Sequence, residues 1–556
     1  MPRAARPLAR TLVASAVLAA VALAACGNDD DTADTPDTGG TAVAPATEPS
    51  TPASDAGGTG SDVAVTTGAS GPATTDGSAS TGDTAPAGEG DPDASVVVGA
   101  VLSPTSLDIL HQAGAALDAV LLDNIYETLL TVDDEGAIGP GLAALPEVSD
   151  DGTVYTFTLE DGVTFHDGAE LTADDVVFSL DELRGESGNF AEDFATIDAV
   201  TAVDDLTVEI TLTEPNSELS FNLTRRGGVV VQADAPDLEN SAIGTGPFRF
   251  VEWDVGSSIT MERNDEYWGD PATVAEVTFQ YFTDPNAAVN AFTTGDVDIL
   301  TGVNSDLVGP LQDNPDYVVN QGTTNGEFTL GFNNQQAPLD NRDVRQAIRQ
   351  SIDKEGLLEL YNGFGTVIGG PVPPTDPWYE DLTDSAPYDT EAARALLDGA
   401  GVAEGTTLRL VYPNIYPTNA AEYIASQLAE VGIEVEIETI EFSVWLEQVF
   451  ANADYDMTVV LHVEPHDIDN YANPEYYWRY DSPDVQQLVG DARASSDPEE
   501  STELLKQAAQ QIAADSPVDW LLLYADLTVS TPDITGYPTN DTASRFNATE
   551  IIVAPG

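Results

Sequence analysis

Histidine and carboxylate side chains concentrate in one short stretch, residues 461–471. The chain has only four histidines, and two of them, His462 and His466, lie here beside Glu464 and Asp467. Imidazole and carboxylate groups hydrogen-bond to ligands, pair with cations and coordinate metals. The two histidines are four residues apart with a proline between them, which argues against a helical metal pair, and no third soft ligand is nearby. A metal is therefore not expected, whereas direct ligand contact and ordinary hydrogen bonding within the loop both stay open.

Aromatic residues follow this stretch, and a second segment has a similar composition. Tyr471 ends the stretch, and residues 476–480 add three tyrosines and a tryptophan. The second segment, residues 413–418, contains Asn414 and Tyr416. Aromatic walls with a few polar groups are typical of small-molecule clefts. We predict ligand contact for Asn414, Tyr416 and Tyr471, with packing inside the protein as the alternative.

Motifs for catalysis are weak in this chain. Ser351 and Lys354 have the Ser-x-x-Lys spacing of penicillin-recognising enzymes, which use the serine as nucleophile and need the lysine nearby. No Lys-Thr-Gly partner exists, because the only lysines are Lys354 and Lys506. Neither a Gly-x-Ser-x-Gly elbow nor a His-Glu-x-x-His zinc motif occurs. We predict no catalytic residues, no cofactor and no enzyme activity, and an exported hydrolase or a ligand sensor is the alternative.

The elements around both polar segments predict a parallel sheet. Residues 408–412 are apolar, residues 419–431 have a helical apolar stripe that ends before Gly432, and residues 433–440 alternate. This strand–helix–strand order is typical of a parallel α/β sheet. Residues 457–460 read as a further strand of the same body. Ligands bind beyond the carboxyl ends of such strands, where both polar segments would lie.

The first half of the chain is richer in strands. Residues 96–102 predict a buried strand and residues 117–130 a helix. Alternating apolar residues at 155–159 and 206–212 predict half-buried strands. Thr172 opens a capping box, so a helix is expected to start there. The strand-rich region extends to about residue 244.

The net charge of the chain indicates which macromolecules are poor partners for it, because like charges repel. Acidic residues number 96 against 18 basic ones, which gives a formal net charge of -78. Nucleic acid and anionic lipid are therefore not expected as partners. Salt screens such a field beyond about 8 to 10 Å, so it favours cationic ligands only weakly. A solubilising surface is the simpler explanation of the charge.

The N-terminal residues predict export. Arg3, Arg6 and Arg10 precede an apolar run at residues 12–23, and small residues lead to Cys26, the sole cysteine. This pattern is that of a signal peptide, residues 1–25, and it resembles a bacterial lipobox, which implies a lipid on Cys26. A plain secretory signal is the alternative.

Residues 26–95 are predicted to form a disordered tether. After the cysteine they are mostly Gly, Ala, Ser, Thr, Pro and acidic residues, without aromatic residues, Leu, Ile, Lys or Arg. Such a composition cannot bury enough apolar surface to offset the entropy of ordering. No second apolar stretch long enough to cross a membrane occurs.

Several short sequence blocks occur in a distinctive order. The blocks are Tyr-Glu-Thr-Leu-Leu at 126–130, Asp-Gly-Val-Thr-Phe-His-Asp-Gly at 161–168, Leu-Thr-Ala-Asp-Asp-Val at 171–176, Gly-Thr-Gly-Pro-Phe at 244–248, Asn-Asp-Glu-Tyr-Trp at 264–268, Phe-Asn at 332–333 and Arg-Asp-Val-Arg-Gln-Ala-Ile at 342–348. In that order and at those separations they resemble one family, the family 5 extracellular solute-binding proteins of ABC importers, which include oligopeptide, dipeptide and nickel binders. The likeness covers nearly everything from residue 96 to about residue 545.

The resemblance implies an α/β fold of the two-lobed periplasmic-binding-protein type II, with an additional strand-rich subdomain. Lobe I would comprise residues 96–143, 244–325 and 517–556, the subdomain residues 144–243, and lobe II residues 326–516.

The resemblance also implies the function: a monomer at the outer face of the cytoplasmic membrane captures a small solute, a peptide by default, and delivers it to ABC permease subunits. In peptide-binding members an acid pairs with the ligand's α-amino group, and matching residues 467–471 to the family pattern places Glu464 there. The glutamate replaces the usual aspartate, and Leu461 stands where peptide binders often have tryptophan. Metal chelates, haem, opines and sugars therefore stay open as ligands.

Overall fold

The computed structural model describes residues 90–555 except 113, 134–135, 186–189, 192, 234, 236 and 543. The predicted signal peptide, the lipidated Cys26 and nearly all of the predicted tether lie outside the described residues. Among the helices that are described, none combines enough length and apolar character to cross a membrane.

Strands are distributed along the whole described chain. They are β1 (Ser95–Ala100), β2 (Leu130–Val132), β3 (Ile138–Pro140), β4 (Glu147–Val148), β5 (Val154–Thr158), β6 (Ile197–Asp204), β7 (Thr207–Leu212), β8 (Phe248–Asp254), β9 (Ser258–Arg263), β10 (Glu276–Tyr281), β11 (Ile299–Leu300), β12 (Val318–Phe332), β13 (Thr406–Pro413), β14 (Ile433–Ile440), β15 (Met457–His462), β16 (Val518–Ser530), β17 (Ile534–Thr535) and β18 (Ile552–Val553).

Helices concentrate in the second half. They are α1 (Ala115–Leu121), α2 (Ala173–Leu183), α3 (Leu219–Asn222), α4 (Pro285–Thr294), α5 (Ser305–Gln312), α6 (Arg342–Ser351), α7 (Lys354–Leu358), α8 (Thr390–Ala400), α9 (Thr418–Glu430), α10 (Phe442–Trp445), α11 (Asp469–Ala472), α12 (Pro483–Ala494) and α13 (Pro498–Asp515), with 3-10 turns at Arg226–Gly228, Glu359–Tyr361 and Thr383–Ser385 and a π-helical turn at Leu446–Ala451.

One large mixed sheet runs through the molecule in the order β14-β13-β15-β12-β16-β11-β1-β10-β9-β8. At one end β13 is parallel to both β14 and β15, as the strand–helix–strand pattern predicts. At the centre β12 and β16 pair antiparallel along most of their length, from Val318 opposite Ser530 to Gly331 opposite Val518. A separate sheet, β4-β5-β7-β6, forms the strand-rich part of the first half.

The two long strands pass from one hydrophobic core to another. One core contains Phe328 and Leu330 of β12 together with Trp520 and Leu522 of β16. The opposite end of β16 contributes Leu527 and other residues to a core beneath α4 and α5. The boundary predicted at 325/326 therefore lies inside β12, and the boundary at 516/517 lies just before β16. The lobe boundaries stay predictions.

Local predictions succeeded where a sequence signal fixes the backbone. Thr172 forms the predicted capping box with Asp175 at the start of α2. The predicted helix at residues 117–130 is too long, because α1 ends at Leu121. Asp123 adopts a positive φ of 64°, and the N–H of Tyr126 donates to the carbonyl of Leu121 in a turn. The apolar spacing beyond Leu121 reflects burial of that turn, since Ile125, Tyr126 and Leu129 are buried there too.

Ser351 and Lys354, the pair with the Ser-x-x-Lys spacing, are parts of the interior. The Ser351 hydroxyl donates to the carbonyl of Ile348 at 2.8 Å. Lys354 Nζ lies 2.8 Å and Arg349 Nε 3.3 Å from Oδ1 of Asp519, whose side chain is fully buried like that of Arg349. Burial lowers the pKa of Lys354 and the charge of Asp519 opposes that effect. One carboxylate therefore neutralises two cations, one of which, Arg349, lies against Trp520 of the core.

Replacing Asp519 with asparagine is expected to lower the free energy of unfolding by about 3 to 5 kcal/mol, because two buried cations lose their counter-charge. Urea denaturation at pH 7 measures the change. Asp533→Asn, at an exposed aspartate shortly after β16, is the matched control and is expected to leave stability within about 0.5 kcal/mol of the wild type. Equal stability of the two variants would contradict this role for Asp519.

Candidate functional site

The loop between β15 and α11 packs against the segment that leads into α3. His466 adopts a positive φ of 58°, and its ring stacks on Phe221 with centroids 3.6 Å apart. His466 Nδ1 lies 2.7 Å from Oε2 of Glu218, immediately before α3. Trp378 packs edge-on against the same imidazole at 4.4 Å. The strand-rich first half and the helix-rich second half are thus in contact at this histidine.

Glu218 contacts two elements of the second half, the β15–α11 loop and α12. Its other carboxylate oxygen accepts a hydrogen bond from Arg493 near the end of α12, and Arg493 Nε also donates to Asp469 at 3.0 Å. Burial opposes ionisation of Glu218, but the charges of His466 and Arg493 outweigh burial and hold the pKa of Glu218 below its ordinary value. We call Glu218, Phe221, His466 and Arg493 the latch.

A cavity of about 40 Å³ lies beside the latch. About 10 to 15 Å³ suffices for one water by this measure, so the space holds small groups only. A solute of dipeptide size therefore requires the latch to open. Among the described residues, the lining comprises Val132, Asp133, Gly136, Phe221, Arg225, Asn325, Thr375, Asp376, Pro465, His466 and Thr542.

Arg225 is a basic residue that lines this cavity. Its guanidinium lies over the Phe221 ring, 5.9 Å from the centroid. Within the described part of the chain, no hydrogen bond or ion pair within 4.0 Å engages its side chain. The charge of Arg225 reaches Glu464 and lowers the pKa of that carboxyl, although burial is the larger effect and raises the pKa overall. The positive charge of Arg225 therefore acts on the carboxyl group of Glu464.

Three further carboxylates near the β15–α11 loop are buried. The side chain of Asp467 is 5% exposed and that of Asp376 6%. Glu327 on β12 is 2% exposed. Burial raises the pKa of all three, and their mutual repulsion adds to the rise for Glu327 and Asp467. For Asp376, burial outweighs the charge of His466 and raises the pKa to about 6.

Three other predicted residues, His462, Tyr471 and Tyr416, form hydrogen bonds with other groups of the protein. His462 is buried and its Nε2 lies 2.9 Å from the Tyr477 hydroxyl, while burial lowers the pKa of His462 to about 4. The Tyr471 hydroxyl accepts a hydrogen bond from Trp520 Nε1 at 2.9 Å. The Tyr416 hydroxyl accepts one from the N–H of Leu461 at 3.0 Å.

Asn414 is the predicted site residue that the structure does not join to the loop. It is exposed, its backbone N–H donates to Ile440, and no hydrogen bond between described residues links its side chain to the β15–α11 loop. The structure thus brings Glu464, His466 and Asp467 together at the cleft. Ligand contact by any of the predicted residues stays a prediction.

Sequence reasoning missed the residues that come from distant segments: Glu218, Arg225, Glu327, Asp376 and Arg493. Basic residues are scarce in this chain, 18 against 96 acids, so the adjacent pair Arg225 and Arg226 was a usable signal. Arg226 is buried and its Nε donates to Asp118 at 2.6 Å, which leaves Arg225 for the cavity. Among the described residues, no group of three or more His, Cys, Asp or Glu side chains is placed to hold a metal ion.

Comparison with known proteins gives one consistent result. The family model described as "Bacterial extracellular solute-binding proteins, family 5 Middle" matches residues 137–487. Di/tripeptide-binding protein 1 of Pseudomonas aeruginosa is 28% identical over 467 residues, which cover 75% of this chain and 86% of that protein. The dipeptide-binding protein of Escherichia coli is 29% identical over 448 residues, 72% of this chain and 83% of that protein.

A solved structure supports the fold. HbpA2 from Haemophilus parasuis superposes with a TM-score of 0.76 at 22% identity, covering 83% of this chain and 100% of that one. At that identity the likeness concerns the fold alone. The predicted type II periplasmic-binding-protein fold is confirmed, and the sheet β4-β5-β7-β6 is the expected strand-rich addition.

Glu218→Gln is expected to weaken the latch by removing the charge that pairs with His466 and Arg493. The pKa of Glu218 is lowered in the folded protein, so its stabilisation is present above the unfolded pKa of about 4.5 and is lost as pH falls through the folded value. The variant should lose about 1.5 to 3 kcal/mol of unfolding free energy at pH 7 and less than that at pH 3.5.

Urea denaturation of both proteins at the two pH values measures this difference. Glu214→Gln, at an exposed glutamate in the same segment, is the control and should match the wild type. A stability difference that does not depend on pH would contradict the charged pairing of Glu218.

Proposed function

The chain belongs to the family 5 bacterial extracellular solute-binding proteins, and on that premise we propose that it captures a short peptide between its lobes and delivers it to an ABC permease. The homologues are substrate-binding proteins of ABC importers, and the family is not enzymatic. Binding and release, without covalent chemistry, are therefore the function of the cleft.

The opposite charges of Glu464 and Arg225 support a peptide as the ligand. A peptide carries a positive amino group at one end and a negative carboxylate at the other. Glu464 is the acid that the family pattern assigns to the α-amino group, and Arg225 is close enough for its charge to lower the pKa of Glu464. Charge-assisted hydrogen bonds to both ends of a zwitterion are stronger than neutral ones. The relatives from Pseudomonas and Escherichia are also named as di/tripeptide-binding and dipeptide-binding proteins.

Opening and closing of the cleft follows from the latch. A ligand that bridges Glu464 and Arg225 contacts both halves only when they are closed, so it stabilises the closed form relative to the open one. Closure about the strands that connect the two cores is the hinge motion typical of such folds. The closed form is the one that docks on the permease in this proposal.

The location of the protein is part of the proposal. Family members are periplasmic or extracellular, and we propose that a lipid on Cys26 holds this one, as a monomer, at the outer face of the cytoplasmic membrane. Two or more acyl chains suffice for stable anchoring.

Glu464→Gln is expected to weaken binding of a free dipeptide about tenfold or more, because the α-amino group loses its charged partner. Isothermal titration calorimetry with Ala-Ala and N-acetyl-Ala-Ala measures the effect, and the acetylated peptide should bind the wild type as weakly as Ala-Ala binds the variant. Glu441→Gln, at an exposed glutamate, is the control. Equal binding of the free and acetylated peptides would remove Glu464 from the α-amino site.

Cys26→Ser is expected to abolish lipidation and release the protein from the membrane. Radiolabelled palmitate supplied to expressing cells should label the wild type and not the variant. In a detergent phase separation the wild type should enter the detergent phase and the variant the aqueous phase. A wild-type protein without label would favour a plain secretory signal.

A further inference from the structure

Carboxylates outnumber cations around the β15–α11 loop. Glu218 and Asp469 bind Arg493, and Asp376 lies 3.9 Å from His466 Nε2. The charge of Arg225 acts on a further carboxylate, Glu464. Among the described residues, no lysine or arginine forms an ion pair with Asp467 or Glu327. Buried charges without counter-charges are strongly unfavourable. A ligand that brings one positive charge to Glu464 leaves Asp467 and Glu327 uncompensated.

Glu327 is the most deeply buried of these acids. It lies on β12 opposite His462 of β15 and opposite Leu523 of β16, and it is 2% exposed. Neither of its carboxylate oxygens has a hydrogen-bond partner among the described residues. A buried carboxylate with no donor on either oxygen points to a donor that arrives from outside the chain.

The strand is distorted next to Glu327. The pairing of β12 with β16 shifts register between Thr323 and Glu327. Asn325, inside this irregularity, lines the cavity and donates to the carbonyl of Thr542 at 2.5 Å. Such bulges redirect side chains beside binding sites. The irregularity therefore places Glu327 two residues from the cavity wall.

Asp467 is the neighbour of Glu327 and is also incompletely bonded. Its Oδ2 has no hydrogen bond among the described residues, and the imidazole Nδ1 of His462 is 3.8 Å from that oxygen, beyond hydrogen-bond distance. The charge of Asp467 is the first of those that act on Glu327, and Glu464 is the first of those that act on Asp467. Asp467 thus interacts electrostatically with both Glu327 and Glu464.

We propose that Glu327 and Asp467 form a subsite for a second cationic group of the ligand, an amine or a guanidinium. This inference rests on the proposed function, in which Glu464 receives the first amino group. Each N–H of such a group supplies a charge-assisted hydrogen bond to an oxygen that otherwise has none. The solute is then dicationic on the side that faces the loop. A peptide with a basic N-terminal residue and a free diamine both have this chemistry.

Three probes distinguish the sources: Lys-Ala, Ala-Ala and 1,5-diaminopentane, each titrated calorimetrically into the full protein. We expect Lys-Ala to bind the wild type at least about tenfold more tightly than Ala-Ala. Glu327→Gln should abolish the preference for Lys-Ala over Ala-Ala, so that the variant binds the two peptides equally. Glu434→Gln, at an exposed glutamate on β14, should change neither affinity.

Asp467→Asn provides a second, independent variant and should reduce the preference for Lys-Ala in the same way if Glu327→Gln does not fold. Circular dichroism and the melting temperature report folding of each variant.

The outcomes separate the two proposals. Equal binding of Lys-Ala and Ala-Ala to the wild type, or a preference that survives both substitutions, would overturn the second cationic subsite while leaving peptide binding intact. Binding of 1,5-diaminopentane alone, lost in Glu327→Gln, would keep the subsite and overturn the peptide. No binding by any of the three probes would overturn both.

Discussion

The antiparallel pairing of β12 with β16 holds the two halves of the chain in one sheet. Residues near one end of the pair pack in the core of the helix-rich half, and residues of β16 near the other end pack beneath α4 and α5. The cleft residues lie along this connection. Glu327 and Asn325 belong to β12, and the β15–α11 loop follows the strand that pairs with β12 on its other side. Movement of one half against the other therefore acts directly on the groups that we assign to the ligand.

The charged groups fall into two sets: those that pair with each other between the two halves, and those that we assign to the ligand. Glu218 sits between His466 and Arg493, and its pKa is lowered because those cations outweigh burial. Glu327 and Asp467 are buried without such cations, and their pKa values are raised. The loop thus contributes His466 to a pair with Glu218 that joins the two halves, and Asp467 to an unsatisfied acidic pair with Glu327 of β12. In the proposed recognition, a cationic solute satisfies the second pair.

Much of the fold could be predicted because its signals are local. The capping box at Thr172, the alternation in β7 and the apolar stripe of α9 each fix an element through neighbouring residues. The turn after Leu121 could not be predicted, because burial there produces the same apolar spacing as a helix. The loop at residues 461–471 was identifiable because histidines are rare in this chain. Its partners Glu218, Arg225 and Glu327 were not, since each reaches the cleft through tertiary packing of a distant segment.

The ligand itself is the most direct measure of the proposed recognition. Mass spectrometry of the small molecules released when the protein, purified from its native cells, is denatured identifies what the cleft holds. We predict a short peptide with a free N-terminus and a basic residue, because Glu464, Asp467 and Glu327 require two positive charges and Arg225 a carboxylate. A haem, a metal chelate or an uncharged sugar as the released molecule would contradict peptide recognition by these residues.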